Sequence, residues 1–203
     1  GGLAARVSDC CQTRAAMSAA GPVIVYRDRS AGEIRDIYIT RYANGGWTPP
    51  VAIHHDQWEI AGCPVNGPSV AAQGDFVAVG WFTAKDDSPK VQLALSTDSG
   101  EHFSSFIRVS GPDTIGRIDT AILANGQVAV SWLDTSAETA QLTVSRFSAG
   151  GSLIDTTVVA RTSASRRSGF PIMETIGDDL FVTWTGISEG PEVRVARVDF
   201  ASP

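Results

Sequence analysis

The sequence predicts an all-β chain of short antiparallel strands arranged in four repeating units, and three observations carry that prediction. Four strand-like runs recur: "VIVYRD", "VAVGWFT", "VAVSWLD" and "LFVTWTG". Each is anchored by an aromatic, at Tyr26, Trp81, Trp132 and Trp184, with spacings of 55, 51 and 52 residues. Apolar and polar residues alternate over short runs bounded by Gly and Asn, which is the strand signal, and no helical period of useful length appears. A period of roughly 40–50 residues built from short strands is the signature of propeller blades. The expected fold is a β-propeller of four-stranded antiparallel blades, with about four blades present.

Each repeat justifies its strands in the same order. A first strand reads "SVAAQ", "TAILAN" or "PIMETI". A tight turn follows at Gly21, Gly74, Gly126 or Gly177, where glycine readily supplies a positive φ. The aromatic-anchored second strand comes next. A polar loop leads to an alternating third strand: "IRDIYITRY", "KVQLALST", "AQLTVSRF" and "EVRVARVDF". A glycine-bearing turn then leads to a fourth, "VAIHH", "SFIRVS" or "DTTVVA". The last repeat stops after its third strand, while "LAARVS" near the N-terminus resembles "FIRVS". The expectation is therefore one propeller domain or propeller fragment over 1–203. Its repeats fall at about 14–65, 66–116, 117–168 and 169–203, with a closing strand supplied from 1–9. A ring closed by its own ends and the C-terminal part of a larger, six-bladed-type propeller are the two readings, and the second is preferred.

Composition narrows the function. The chain has 203 residues, 43% apolar, 19% charged, with a net charge of −6. It can bury a sizeable core, and its acidity argues against a nucleic-acid partner. No apolar run reaches the length of a membrane span. There are three Cys, at positions 10, 11 and 63, and neither a CxxC nor an HExxH motif. Buried thiols are one reading. The other is a disulfide from Cys63 to Cys10 or Cys11, with Cys11–Cys63 as the candidate pair, which would suit a secreted or periplasmic protein. Asp86 and Asp87 lack a calcium ligand pattern, and no metal or cofactor is predicted.

The stretch "STDSGEHF" marks the turn after the third strand of the second repeat. Asp98 can accept hydrogen bonds from turn amides, Gly100 can take a positive φ, and Phe103 can pack beneath the turn. With Ser96, these residues match S-x-D-x-G-x-x-F/W, and the stretch resembles the Asp-box of sialidases and other BNR-repeat propellers. "TRYANGGW" is a worn copy, with Thr40, Asn44 and Trp47 in the Ser, Gly and aromatic places. "YRDRSAGEIRDIYI", "GCPVNGP" and "RRSGFP" are similar to segments of bacterial secreted, sialidase-like (exo-α-sialidase) proteins. The motif is structural and names a fold family rather than an activity.

Strand order puts the loops entering each first strand, and those between second and third strands, on one face. That face gathers Arg27, Arg29, Arg35, Arg117, Arg166 and Arg167, with Asp28, Asp36, Asp119, Asp134, Cys11, Cys63 and Asn66. Arginine grips carboxylates with paired hydrogen bonds, so Arg27, Arg29, Arg35, Arg117, Arg167 and Asn66 are candidate ligands of an acidic sugar or glycan. The sialidase resemblance implies the same, since an arginine cluster there holds the sialic-acid carboxylate. Inter-blade salt bridges are the competing reading. Asp36, Asp119 and Asp28 are the candidate catalytic carboxylates for glycoside hydrolysis. The resemblance also implies a Tyr nucleophile from a late blade, yet all three Tyr lie in the first repeat. Two functions follow: a sialidase-like hydrolase acting through the Arg-rich face, or a non-catalytic propeller that binds an acidic glycan or a protein partner. Missing propeller blades are a further partner for this chain.

Overall fold

The structure is a computed structural model that describes residues 2–136, 139–187 and 190–200. Its strands form four antiparallel sheets in sequence order. The first contains β1 (Arg14–Ser18), β2 (Gly21–Arg27), β3 (Ile37–Ala43), β4 (Gly46–Trp47) and β5 (Val51–His54). The second contains β6 (Ser69–Gln73), β7 (Phe76–Thr83), β8 (Lys90–Ser96) and β9 (Ile107–Arg108). β10 (Thr114–Ile122), β11 (Val128–Ser136), β12 (Thr139–Phe147) and β13 (Leu153–Ser163) form the third. The fourth has β14 (Ile172–Ile176), β15 (Asp179–Gly186) and β16 (Glu192–Val198). These sheets are the blades of a β-propeller, and their first strands stand side by side, β6 against β1 and β10, and β10 against β14.

Alternation explains the packing. In β2, Val23 and Val25 are fully buried, as are Val77 and Val79 in β7 and Val128 and Val130 in β11. Their side chains leave the sheet on the face that meets the next blade, so the core lies between blades. One apolar cluster joins the first three blades and a second joins the third and fourth. The anchors Tyr26, Trp81, Trp132 and Trp184 are all buried, at 6%, 0%, 3% and 9% exposure. A buried indole N–H needs an acceptor. Trp81 donates to Asp56 Oδ2 and Trp132 to Asp134 Oδ1, each at 2.7 Å. That bond accounts for Asp134 standing two residues past its anchor.

The turn after β8 is built as the residues predict. Ser96 Oγ donates to Asp98 Oδ1 at 2.7 Å and accepts the Gly100 amide at 2.9 Å. Asp98 Oδ1 also accepts the amides of Glu101 and His102. Gly100 has φ +81°, and a Cβ there would stand 3.0 Å from Ile39 Cδ1, so both torsion and space call for glycine. Phe103 packs against the first core cluster. Ser99 ties this turn to the β6–β7 turn through Asp75 and to blade one through the Ala20 amide. The worn copy differs: Trp47 stacks edge-on against Tyr42 at 5.5 Å, and both remain surface-exposed.

Two expectations need correction. Among the described residues, 2–9 supply no strand to the fourth blade, whose sheet is β14–β15–β16. Val7 instead makes an isolated antiparallel bridge with Asp28, and the Ser8 amide donates to Arg27 O at 2.9 Å. Second, Cys63 is bonded to Cys10, with Cα atoms 6.0 Å apart, and Cys11 is the free thiol. Cys11 turns inward, 3.5 Å from Ser8 Oγ. Both corrections share one cause: the disulfide and the Ser8 contacts fasten the N-terminal segment across the loops of blades one and two.

Candidate functional site

The loops following β2 and preceding β6 meet the N-terminal segment on one face. Ala137, Glu138, Ser188 and Glu189, from two loops assigned to the same face, lie outside the described residues. Four of the six arginines expected here divide into two groups, and Arg166 and Arg167 stand apart.

Arg27 and Arg117 are inter-blade ties. Arg27 is 1% exposed, and all three of its nitrogens are engaged by main-chain oxygens. Nε donates to Asn66 O at 2.8 Å, Nη1 to Arg35 O and Nη2 to Phe82 O, both at 2.6 Å. The guanidinium also lies 5.2 Å over the ring of Trp58. Burial pushes its pKa down to about 10, and it stays charged at neutral pH. Arg117 has a left-handed backbone, φ +55°, and its amide donates to Asn66 Oδ1 at 2.6 Å. Its Nη1 and Nη2 reach Ser165 O, Ser168 Oγ and Ala164 O at 2.6–3.0 Å. Asn66 sits between the two, and its Nδ2 caps Ile115 O. The expectation that Arg27, Arg117 and Asn66 face a ligand is therefore corrected: buried carbonyls demand donors, and these side chains supply them. Arg166 and Arg167 lie in a short 3-10 turn, both exposed.

Arg29 and Arg35 form the second group, with a third arginine that sequence reasoning missed. Arg29 grips Glu33 through Nε at 3.1 Å to both carboxylate oxygens and Nη2 at 3.0 Å. Arg35 Nη2 meets Glu33 Oε2 at 2.6 Å, and Arg6 Nη2 meets Oε1 at 3.3 Å. Three guanidiniums thus converge on one carboxylate, and the bonds from Arg29 and then Arg35 hold Glu33 below its ordinary pKa. Arg35 is buried, donates from Nη1 to Ser8 Oγ at 2.8 Å, and leaves its buried Nε without a partner. Beside the cluster is a cavity of about 340 Å³ lined by Asp9, Arg29, Glu33, Arg35, Gly62 and Cys63. Glu33 has φ +59°, a conformation rare for a side chain of this kind.

The carboxylates are dispersed. Asp36 is 3% exposed and accepts the Gln57 amide at 2.9 Å. The Asp28 amide donates to Asp36 O, which brings these two residues together. Burial, with Asp36 as a lesser cause, raises the Asp28 carboxyl. Asp119 belongs to a different environment. It accepts Ser69 Oγ and the Met173 amide, each at 2.7 Å, beside a cavity of about 320 Å³ between the first strands of the blades. Burial raises its pKa. Asp36 and Asp119 share no partner. Burial also pushes Tyr26 up to about 12, with Asp28 adding to the shift. His54 packs on Phe106 at 4.7 Å between ring centres, while His55 is 70% exposed.

No protein-family model and no curated protein sequence matches this chain. Solved structures do. A protein of unknown function from Dyadobacter fermentans is similar at TM-score 0.59 and 12% identity, over 92% of this chain and 64% of that one. The Aleuria aurantia lectin, in complex with α-methyl-L-fucoside, is similar at TM-score 0.57 and 16% identity, over 97% and 64%. Another structure of that lectin is described as a six-bladed β-propeller. A neuraminidase-like protein of A/flat-faced bat/Peru is similar at TM-score 0.51 and 10% identity, over 96% and 56%. This chain thus spans less than two thirds of the length of each of these proteins. At such identities the likeness shows the fold alone: the chain has the fold of a β-propeller.

Proposed function

We propose that this chain is a sialidase-like propeller whose Arg-rich face binds a carboxylate-bearing sugar without hydrolysing it. The carrying observation is the convergence of Arg6, Arg29 and Arg35 on the Glu33 carboxylate at the rim of the 340 Å³ cavity. A site that holds one carboxylate with three guanidiniums has the donors to hold another. Arg29 is 35% exposed, so a ligand can reach it from solvent. In the free protein Glu33 occupies the seat, and the ligand carboxylate displaces it from Arg29 and Arg6.

Binding is favoured over hydrolysis by the chemistry around the cluster. Asp36 and Asp119 are occupied by separate protein partners, and Tyr26 stays protonated at neutral pH. The Asp-box-like turn at 96–103, the Arg-rich face, and lectin and neuraminidase-like neighbours in fold support the sialidase-like reading. The disulfide fits an extracellular or periplasmic location.

The test is a thermal-shift titration with sialic acid, its dehydro analogue and a uronic acid, on wild type and Arg29→Ala. A saturable rise in Tm that Arg29→Ala abolishes supports the proposal. No shift with any of the three, on a cooperatively melting protein, overturns it. Release of free sugar from a sialoside would restore the hydrolase reading.

A further inference from the structure

Blades two and three are unequal at their outer edges, and the mismatch leaves part of one sheet uncovered. The outer strand of blade two, β9, has two residues, whereas β13 of blade three has eleven. Val130 and Trp132 of β11 face blade two and are buried in the core shared with it. Register carries that face outward. Trp132 pairs with Thr143 and Thr143 with Val158, while Asp134 pairs with Gln141 and Gln141 with Arg161. Directly opposite residues of an antiparallel pair share a face of the sheet. Val158 and Arg161 therefore lie on the face turned to blade two, beyond the cover of its short outer strand. Val158 is accordingly 54% exposed, and Arg161 is exposed as well.

A cavity of about 250 Å³ opens at this edge, lined by Gly111, Asp113, Asp134, Thr135 and Gln141. It is just under the roughly 300–1,000 Å³ common for drug-sized ligands, which suits a single small ring. Its frame is fixed: the Thr135 amide donates to Asp113 O at 2.7 Å, and Asp134 Oδ1 accepts the Trp132 indole N–H at 2.7 Å. Its outer polar groups are unused. The side chains of Asp113, Gln141 and Arg161 make no hydrogen bond or ion pair among the described residues. Asp113 and Arg161 are exposed and Gln141 is half-buried, so none of the three is sealed from solvent.

The chemistry of this set selects a ligand class. Two carboxylates stand near each other, since burial raises the Asp134 carboxyl and the charge of Asp113 adds to that shift. Such a pair repels an anion. The guanidinium of Arg161, in the same cross-strand row, disfavours a bare cation. A neutral ligand that both donates and accepts hydrogen bonds answers all three free groups. A sugar ring does so through its hydroxyls, and its C–H face matches an exposed aliphatic side chain such as Val158.

We propose that this open edge between blades two and three is a binding site for one neutral sugar residue, with Asp113 accepting from its hydroxyls, Gln141 and Arg161 donating to them, and Val158 under its C–H face. The site shares no residue with the Glu33 cluster and takes a ligand of different charge.

The experiment is an amide-resolved NMR titration of the whole chain with D-galactose, D-mannose and D-glucose, and with D-glucuronate as the anionic control. In wild type, the amides of Asp113, Thr135, Gln141 and Arg161 shift saturably with at least one neutral hexose and far less with glucuronate. Asp113→Ala and Arg161→Ala each weaken that binding by roughly tenfold to a hundredfold, the range for losing one charge-assisted contact. Gln141→Ala weakens it by roughly two- to tenfold. All three positions are on the surface, and melting curves confirm that each variant folds. No saturable shift at these amides with any of the three hexoses overturns the proposal. So does a response that both Asp113→Ala and Arg161→Ala leave intact, or one that glucuronate matches.

Discussion

Arg27 and Asn66, 39 residues apart, are joined by a 2.8 Å hydrogen bond from the guanidinium Nε to the asparagine main-chain oxygen. The same Asn66 accepts the Arg117 amide at 2.6 Å on its side-chain oxygen. Arg117 then reaches the segment 164–168. A buried relay of donors and carbonyls thus runs from blade one to the loop that enters blade four. It is built from side chains that the sequence would offer as ligand grips.

Arg27→Lys tests that relay. An ammonium group cannot span three carbonyls that a planar fork satisfies together, so at least one buried acceptor is orphaned. The expected loss is about 3 kcal/mol, a fall in Tm of roughly 6–12 °C for a chain of this size. Differential scanning calorimetry reads it directly. A variant that melts with wild type would show the tie to be idle.

Asp98→Asn should have an effect that depends on pH. Slight burial acts to raise the Asp98 carboxyl, but hydrogen bonds from the His102 amide, Ser96 Oγ and the His102 ring outweigh it and hold the group well below the usual carboxylate range. A depressed folded pKa contributes stability that is present above the unfolded value, near 4, and is lost as pH falls towards the folded one. Wild type should therefore melt above Asp98→Asn at pH 7, with the gap closing below about pH 3. Melting curves across that span test the sign.

Asp119 carries the opposite sign. Burial raises its pKa, so wild-type stability falls as pH rises above the unfolded value towards the folded one. Asp119→Asn escapes that penalty, and its disadvantage should narrow from pH 4 to pH 7. Asp119→Ala leaves Ser69 Oγ and the Met173 amide without their acceptor, at a cost of about 2–3 kcal/mol. Urea unfolding at several pH values separates the two variants.

Cys63→Ser opens a loop of sequence separation 53. The chain-entropy model assigns about 4 kcal/mol to a closure of that length. Guanidinium unfolding should show a loss of that order. A thiol titration of denatured wild type should count one reactive group, Cys11, and three after reduction.

Glu33→Gln should tighten binding of a uronic acid at the blade-one cavity. The substitution removes the charge that competes with the ligand for Arg29 and Arg6 but keeps a similar volume. A gain in affinity of several-fold by calorimetry is expected. Weakened binding would mean that Glu33 belongs to the seat instead of blocking it.

The blades were legible because their signals are local. Tyr26, Trp81, Trp132 and Trp184 repeat every 51–55 residues, period-two alternation selects the buried face, and the 96–103 turn is closed by its own Ser96 and Asp98. The site was less so. Whether Arg27 meets a ligand or a carbonyl is decided by the backbones of Asn66 and Phe82, 39 and 55 residues away. Cys10 and Cys11 are adjacent, and only the path of the N-terminal segment decides which faces Cys63. Glu33 went unnoticed because nothing in "SAGEIRD" announces a left-handed glutamate or the three arginines that enclose it. The third strand of blade one also begins later than alternation suggests, at Ile37, after an isolated bridge from Ile34 to Glu59.

The relay through Arg27 and Arg117 bonds mainly to main-chain oxygens, and every residue type has one. Residues 66, 82, 164 and 165 offer those oxygens whatever side chains they carry. Loops on this face can therefore diverge widely in sequence while the joints between blades hold. A library that randomises exposed loop positions such as 61 and 62 and leaves the two arginines untouched should return folded proteins with altered surfaces, which makes the face a scaffold for new specificities.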